Sequence, residues 1–282
     1  MKNLIISASA LTLIAAPLFA DGHASPASGY GLTDDGTAIV MLPGLVEAGE
    51  KIMLDGQVDA IAYRPVTGDL MGITRTGDVF AIDTQTGALT STMATVADTV
   101  MVGDDAAVGF DFNNKIDAVR AVTTDGVNLV YFPVGFGDMD DRANSVLRFT
   151  DLAYAAGDTN EGTTPMIYAN AYTNAVNGAK QDATAQYALD AATDSLVTLA
   201  NNEGTLTTVA PITIADEAVD LAAMGGFEIV SPEAGTNTAY AILMLEGAEM
   251  SGLYSIDLET GAATKTTDLM GSYAGFAANL PM

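Results

Sequence analysis

Along this chain, short apolar runs alternate with clusters of Gly, Asp, Thr and Asn. Within the runs, apolar and polar residues often alternate, the period of half-buried strands joined by tight turns. No stretch of twelve residues carries a helical period. The segment from 58 to 93 is the clearest unit. Ile61-Ala62-Tyr63 predicts a first strand, and Arg64-Pro65-Val66-Thr67-Gly68-Asp69 a turn. Leu70 to Thr74 predicts a second strand, Val79 to Ile82 a third and Ala88 to Met93 a fourth. Together they make an antiparallel meander.

The unit recurs. An apolar residue, a small one and an aliphatic one follow each other in Tyr30-Gly31-Leu32, Met71-Gly72-Ile73, Tyr187-Ala188-Leu189 and Tyr240-Ala241-Ile242. Arg120-Ala121-Val122 fills the same place with an arginine in the apolar slot. The small residues are spaced by 41, 49, 67 and 53 positions. First strands align on Tyr63, Phe112, Tyr172, Phe227 and Phe276. The turn Asp83-Thr84-Gln85-Thr86-Gly87-Ala88 returns as Asp257-Leu258-Glu259-Thr260-Gly261-Ala262. Four strands at a period near 50 predict an all-β fold, a β-propeller of five four-stranded blades. The chain opens on a second strand (29–33) and ends on a lone first strand (273–278). The C-terminal strand is therefore expected to complete the N-terminal blade, leaving no free sheet edge. Six blades and a β-sandwich are the alternatives; a sandwich does not account for the matched termini.

Met1 to Ala20 reads as a signal peptide, with Lys2, an uncharged apolar stretch from Leu4 to Ala16, and Pro17-Leu18-Phe19-Ala20 at the cut. The apolar stretch is too short to span a bilayer. The expected organisation is a signal peptide (1–20), a flexible leader (21–28) and one propeller domain (29–282). The expected location is periplasmic or secreted, with no membrane insertion after cleavage.

Gly109-Phe110-Asp111-Phe112-Asn113, followed by Ile116-Asp117-Ala118-Val119-Arg120-Ala121-Val122 and Gly126-Val127-Asn128-Leu129, resembles the DUF4394 family of bacterial exported domains of unknown function. The resemblance continues through 152–158, 171–174 and 204–209 and ends near Ile256. The family pattern has Asn-Pro where this chain has Asn113-Asn114. It also has Asp-Arg where this chain has Asp117-Ala118. The resemblance implies an exported propeller-like domain and supplies no reaction.

Composition narrows the chemistry. The 282 residues include 10 Lys and Arg against 36 Asp and Glu, a formal charge of −26. Cleavage after Ala20 removes one Lys and no acid, giving −27. Such a surface repels nucleic acid and keeps the domain dispersed. With no Cys, disulfides, thiolate zinc sites and Cys nucleophiles are excluded. The one His, His23, lies in the leader, which argues against His-dependent catalysis. Asp111, Asp158 and Glu228 near first strands supply carboxylates for glycoside hydrolysis, but Trp, the usual sugar platform, is absent. Calcium is the cofactor the acidic loops suggest. Its candidate ligands are Asp138, Asp140 and Asp141 in one loop and Asp158 and Asn160 in another; a solvated acidic loop is the simpler reading. Arg120 is expected to be buried and paired, with Asp111 or Asp117 as partner. Alternatively, Asp111, Asn113, Arg120 and Asn128 converge on a ligand at the channel mouth. The sequence thus points to a binding or scaffolding module without an identified reaction, its partner a small molecule or a protein. A calcium-assisted lactonase or phosphoesterase-like hydrolase and a subunit of a surface assembly are the other readings.

Overall fold

The computed structural model describes residues 27–279; the expected signal peptide, His23 and nearly all of the expected leader lie outside the described residues. Among the described residues there is no α-helix, only two three-residue 3-10 turns. The strands form five sheets arranged as a five-bladed β-propeller. The long step from 121 to 188 is taken up by the loops 149–166 and 173–185, not by a sixth blade.

Blade 1 runs from its inner strand Tyr273–Asn279 to Ser28–Thr33, Ala38–Leu42 and Lys51–Met53. The last strand of the chain thus pairs antiparallel with the first, Phe276 opposite Gly31. Blade 2 is Ala60–Arg64, Asp69–Ile73, Val79–Ile82 and Leu89–Ser91. Blade 3 is Val108–Asn113, Ala118–Thr123, Asn128–Phe132 and Ser145–Arg148. Blade 4 is Ile167–Tyr172, Gln186–Asp190, Ser195–Ala200 and Thr205–Pro211. Blade 5 is Leu221–Glu233, Thr236–Leu245, Ser251–Ile256 and Ala262–Leu269. Blades 3, 4 and 5 exceed the expected four strands. Thr95–Val96, Ala153–Tyr154 and Thr213–Ile214, each arriving from the preceding blade, pair in parallel with the outer strand. These additions cover outer edges that would otherwise present free backbone groups.

The register corrects the sequence alignment of the first strands. Phe276 and Phe227 do face the small residues Gly31 and Ala241. In blades 2, 3 and 4 the residues facing Gly72, Ala121 and Ala188 are Ile61, Phe110 and Asn170. Tyr63, Phe112 and Tyr172 lie two positions further on. A two-residue slip keeps every side chain on its face, so the hydrophobic pattern cannot detect it.

The corrected register exposes a rule for the axis. The residues just before the facing position are Gly275, Ala60, Gly109, Ala169 and Gly226. Just after it come Ala277, Ala62, Asp111, Ala171 and Glu228. Small residues are needed because inner strands of adjacent blades touch. A Cβ on Gly109 would sit 2.7 Å from Ala169 Cα, and one on Gly226 would strike the backbone of Phe276. The core lies between blades, in clusters that join neighbours such as blades 2 and 3, and 4 and 5.

Gly226→Ala is therefore expected to destabilise the fold by about 2 kcal/mol through backbone overpacking. Gly178→Ala, in an open loop at φ +78°, should cost about 1 kcal/mol. Urea unfolding of the two variants checks the order; an equal or reversed order contradicts the close axial approach.

Candidate functional site

The inner edge of each first strand faces the axis with backbone groups that no further strand can pair. Two acidic side chains answer that need. Asp111 of blade 3 accepts from the Tyr172 N–H of blade 4 at 2.6 Å, and the Phe112 amide also bonds it. Glu228 of blade 5 accepts from its neighbour Ile229 N–H at 2.9 Å and from the Ala278 N–H of blade 1 at 3.4 Å. Both carboxyls stand at equivalent positions, and each reaches the inner strand of the following blade. Both are buried. Burial pushes Asp111 up to about 8, opposed by its two amide donors. Burial also holds Glu228 well above the usual carboxylate range, and the charge of Asp111 raises it further.

Arg120 is buried, as the sequence suggested, but its partners differ from those expected. Its Nε donates to Tyr172 Oη at 3.1 Å, one Nη to Asn128 Oδ1 at 2.5 Å and the other to Asn202 Oδ1 at 2.9 Å. The guanidinium also lies 5.8 Å from the Phe149 ring centroid. Asp117 instead pairs with Arg64 of blade 2, two-pronged, with Nε to Oδ1 at 2.8 Å. The five ion pairs among the described residues use Arg64, Arg75, Arg142, Arg148 and Lys265. Arg120 therefore holds a buried charge among neutral oxygens. The Tyr172 hydroxyl sits within reach of Gln186 Oε1 and Asn201 Oδ1 as well, and Asn128 donates to the carbonyls of Thr150 and Asn201. Burial raises the Tyr172 phenol to about 12, and Arg120 holds it back.

The four residues singled out for the mouth meet the same neighbour, blade 4. Asp111 binds the backbone of Tyr172, and Arg120, with Asn128 behind it, binds the phenol. Asn113 Oδ1 accepts from Thr184 Oγ1 at 3.0 Å. They form an interface between blades 3 and 4. Tyr172, where Asp111 and Arg120 meet, was not singled out by the sequence, which shows it only as one of the aromatic residues on which first strands align.

The axial end beyond Asp111 and Glu228 is spanned by the 173–185 loop of blade 4. Its Gly178 N–H bonds the Pro65 carbonyl of blade 2, and its Ala175 N–H bonds Ser231 Oγ of blade 5. Asn114 of blade 3 aims its side-chain amide at the carbonyls of Asn174, Val176 and Ala179. Asn114 is where the family pattern has proline, which has no amide to offer this loop. Along the axis, the inner strands leave a cavity of about 10 Å³, room for a single small occupant.

The acidic loops do other work. Asp140 is bound by Arg142 through both oxygens, which holds it down at about 2. Asp138 and Asp141 stand exposed. Asp158 accepts from the Thr208 N–H and hydroxyl, and Asn160 donates to the same hydroxyl, so this loop is tied to the outer strand of blade 4. Among the described residues, no three His, Cys, Asp or Glu side chains gather to hold a metal.

Open clefts lie outside the axis. Two are equivalent. One, of about 320 Å³, is bordered by Gly68 to Leu70 and Ile82 to Gln85 in blade 2. The other, of about 330 Å³, is bordered by Asn237 to Ala239 and Ile256 to Glu259 in blade 5. Leu70 pairs with Ile82 as Ala239 pairs with Ile256, so the seven residues correspond one to one. In each, the turn aspartate, Asp83 or Asp257, accepts from the N–H groups two and three residues ahead.

The family model for DUF4394, a domain of unknown function, matches residues 49–277. The chain belongs to the DUF4394 family. No curated protein matches this DUF4394 chain. Among solved structures, it is similar to a protein of unknown function from Bacteroides caccae, at 9% identity and a TM-score of 0.42. The match covers 90% of this chain and 99% of that one. It is also similar to an auxiliary nutrient binding protein from Bacteroides thetaiotaomicron, at 12% identity and a TM-score of 0.38, over 88% of this chain and half of that one. No helix among the described residues of this DUF4394 domain is long and apolar enough to cross a membrane.

Two outcomes follow for the DUF4394 core. A carboxyl with a raised folded pKa contributes stability that is present below its unfolded pKa and is lost as pH rises through the folded value. With no metal ion added, the melting midpoint is expected to fall from pH 5 to pH 9, and Asp111→Asn with Glu228→Gln to flatten that fall; calorimetry across the range checks it. Arg120→Met strands the oxygens of Asn128, Asn202 and Tyr172 and is expected to cost about 2–4 kcal/mol by urea unfolding. A neutral result would mean that the guanidinium is dispensable.

Proposed function

We propose that this chain is an exported binding module, acting in the periplasm or outside the cell, that takes small hydroxyl-rich molecules in the paired outer clefts of blades 2 and 5. The observation that supports this is the repetition itself. Two clefts of nearly equal volume occur at the same place in two blades, built from the same turn. Their linings carry Asp69, Asp83 and Gln85 in one and Thr238, Ser255, Asp257 and Glu259 in the other. Carboxylates and amide or hydroxyl oxygens accept hydrogen bonds from ligand O–H groups, and the Leu70–Ile82 and Ala239–Ile256 pairs give each cleft an apolar floor. Two sites on one rigid ring engage a repetitive ligand with higher avidity than either alone. The axis, by contrast, holds a cavity of about 10 Å³, too small for any substrate.

Isothermal titration with a panel of mono- and disaccharides tests the reading. A binder is expected at two sites per chain. Gln85→Ala and Glu259→Ala, whose side chains make no turn-capping bond, should each remove one site and leave the melting point unchanged. Binding untouched by both substitutions, or no binding across the panel, overturns the proposal.

A further inference from the structure

The axial cavity carries an inference independent of the outer clefts. All five blades wall it, through Ile61, Phe110, Asn170, Phe227 and Phe276 and the residues beside them on the inner strands. Asn170, in blade 4, stands where the other blades have Phe or Ile. Being smaller than Phe, it leaves part of its share of the axis unfilled. It is 1% exposed, and neither its amide oxygen nor its nitrogen has a hydrogen-bond partner among the described residues. Tyr168, two residues earlier on the same strand, also lines the cavity, and its buried hydroxyl is unpartnered too. Buried polar groups are rarely left so. An amide desolvated and unbonded at both ends is costly to the fold.

The lining says what answers that need. Apart from the amide and the phenol, its side chains are apolar. None carries a charge, so an ion there would be a buried charge without compensation. Asp111 and Glu228 lie outside the lining and spend their oxygens on the N–H groups of Tyr172, Ile229 and Ala278. The occupant must therefore be neutral. It must also both donate and accept, because the amide presents a C=O and an N–H group. And it must be small: about 10 Å³ is the room one water needs. Gly109, Gly225, Gly226 and Gly275 offer the remaining partners. They put bare backbone at the cavity wall, on strand edges that no further strand pairs.

We propose that the axial cavity is the site of one structural water, which bonds the Asn170 amide of blade 4 to inner-edge backbone groups of the other blades. Four blades close the axis with an apolar side chain; blade 4 closes it with an amide and a water. A bridging water is nearly as good as a direct hydrogen bond. It therefore links inner strands across a level where no side chain of the lining reaches a partner.

The test is a high-resolution crystal map of the intact protein, joined to magnetic relaxation dispersion of the water oxygen, which counts long-lived internal waters in solution. The map is expected to show one peak within hydrogen-bond distance of the Asn170 amide, with no anomalous signal. Asn170→Leu supplies an apolar side chain of the kind the other blades carry. It should lose that peak and lower the count of long-lived waters by one. A parent cavity with no density beside the amide, or with density that scatters as an ion, overturns the proposal; that map decides by itself should the variant not fold. A folded Asn170→Leu protein that keeps the full count of long-lived waters overturns it as well.

Discussion

Everything in this fold answers to one constraint: five first strands must bring their unpaired inner edges together on an axis. In an ordinary sheet an edge faces water, which satisfies its N–H and C=O groups. Here the edges face one another across a space of about 10 Å³. Gly109 and Gly226 are where they are because a side chain would collide with the next inner strand. Asp111 and Glu228 are exceptions to the Gly and Ala ring, and each occupies its place by accepting amides that nothing else could reach. One carboxyl bonds blade 3 to blade 4, the other blade 5 to blade 1. The second link lies at the seam between the two ends of the chain, where the inner strand is the last segment of sequence and its partner the first.

That arrangement carries an electrostatic cost. Burial raises the proton affinity of both carboxyls, the charge of Asp111 raises that of Glu228 further, and no ion pair among the described residues involves either. Arg120 stands across the strand pair from Asp111 in register, yet the two side chains take opposite ends of Tyr172. The carboxyl takes its backbone and the guanidinium its hydroxyl. Tyr172 therefore couples the axial polar level to the network between blades 3 and 4. In a chain of formal charge −26, a buried arginine without a carboxylate shows that total charge says little about local pairing.

Much of the architecture was legible. The small residue in each second strand fixed the blade count, because close packing leaves a period that turns and apolar runs repeat. The first strands were harder. Tyr63, Phe112 and Tyr172 are aromatic, and so are Phe227 and Phe276; aligning them by type placed three blades two residues out of register. Only hydrogen-bonded pairing distinguishes those choices. The edge strands such as Thr95–Val96 escaped notice because two residues carry no period. At the site, Asp111, Asn113, Arg120 and Asn128 were singled out as unusual in an apolar pattern, and the structure does gather them at blade 4. Where they meet blade 4 could not be read, since Tyr172, which binds both Asp111 and Arg120, is 52 residues or more from either and looks like core. Asn170 is the plainest lost signal: a lone amide where four other blades have apolar residues, hidden by the register error.

The blades divide the work. Blades 3 and 4 spend their polar residues on each other, and Asn114 anchors the 173–185 loop over the axial end. Their third-to-fourth connections lack the Asp-x-x-Thr-Gly turn. Blades 2 and 5 keep it, with the same capping bonds and the same cleft beside it. Gly87 and Gly261 hold both turns in the left-handed region, against the carbonyls of Met53 and Pro211. Packing alone accounts for that glycine and for the capping aspartate. It does not account for the side chains of Gln85 and Glu259, which line the cleft and make no bond in the turn. The two blades thus agree in what holds the turn, and each adds a polar side chain at its open side. Neither side chain serves the turn, so both are free for the contact role proposed for the clefts.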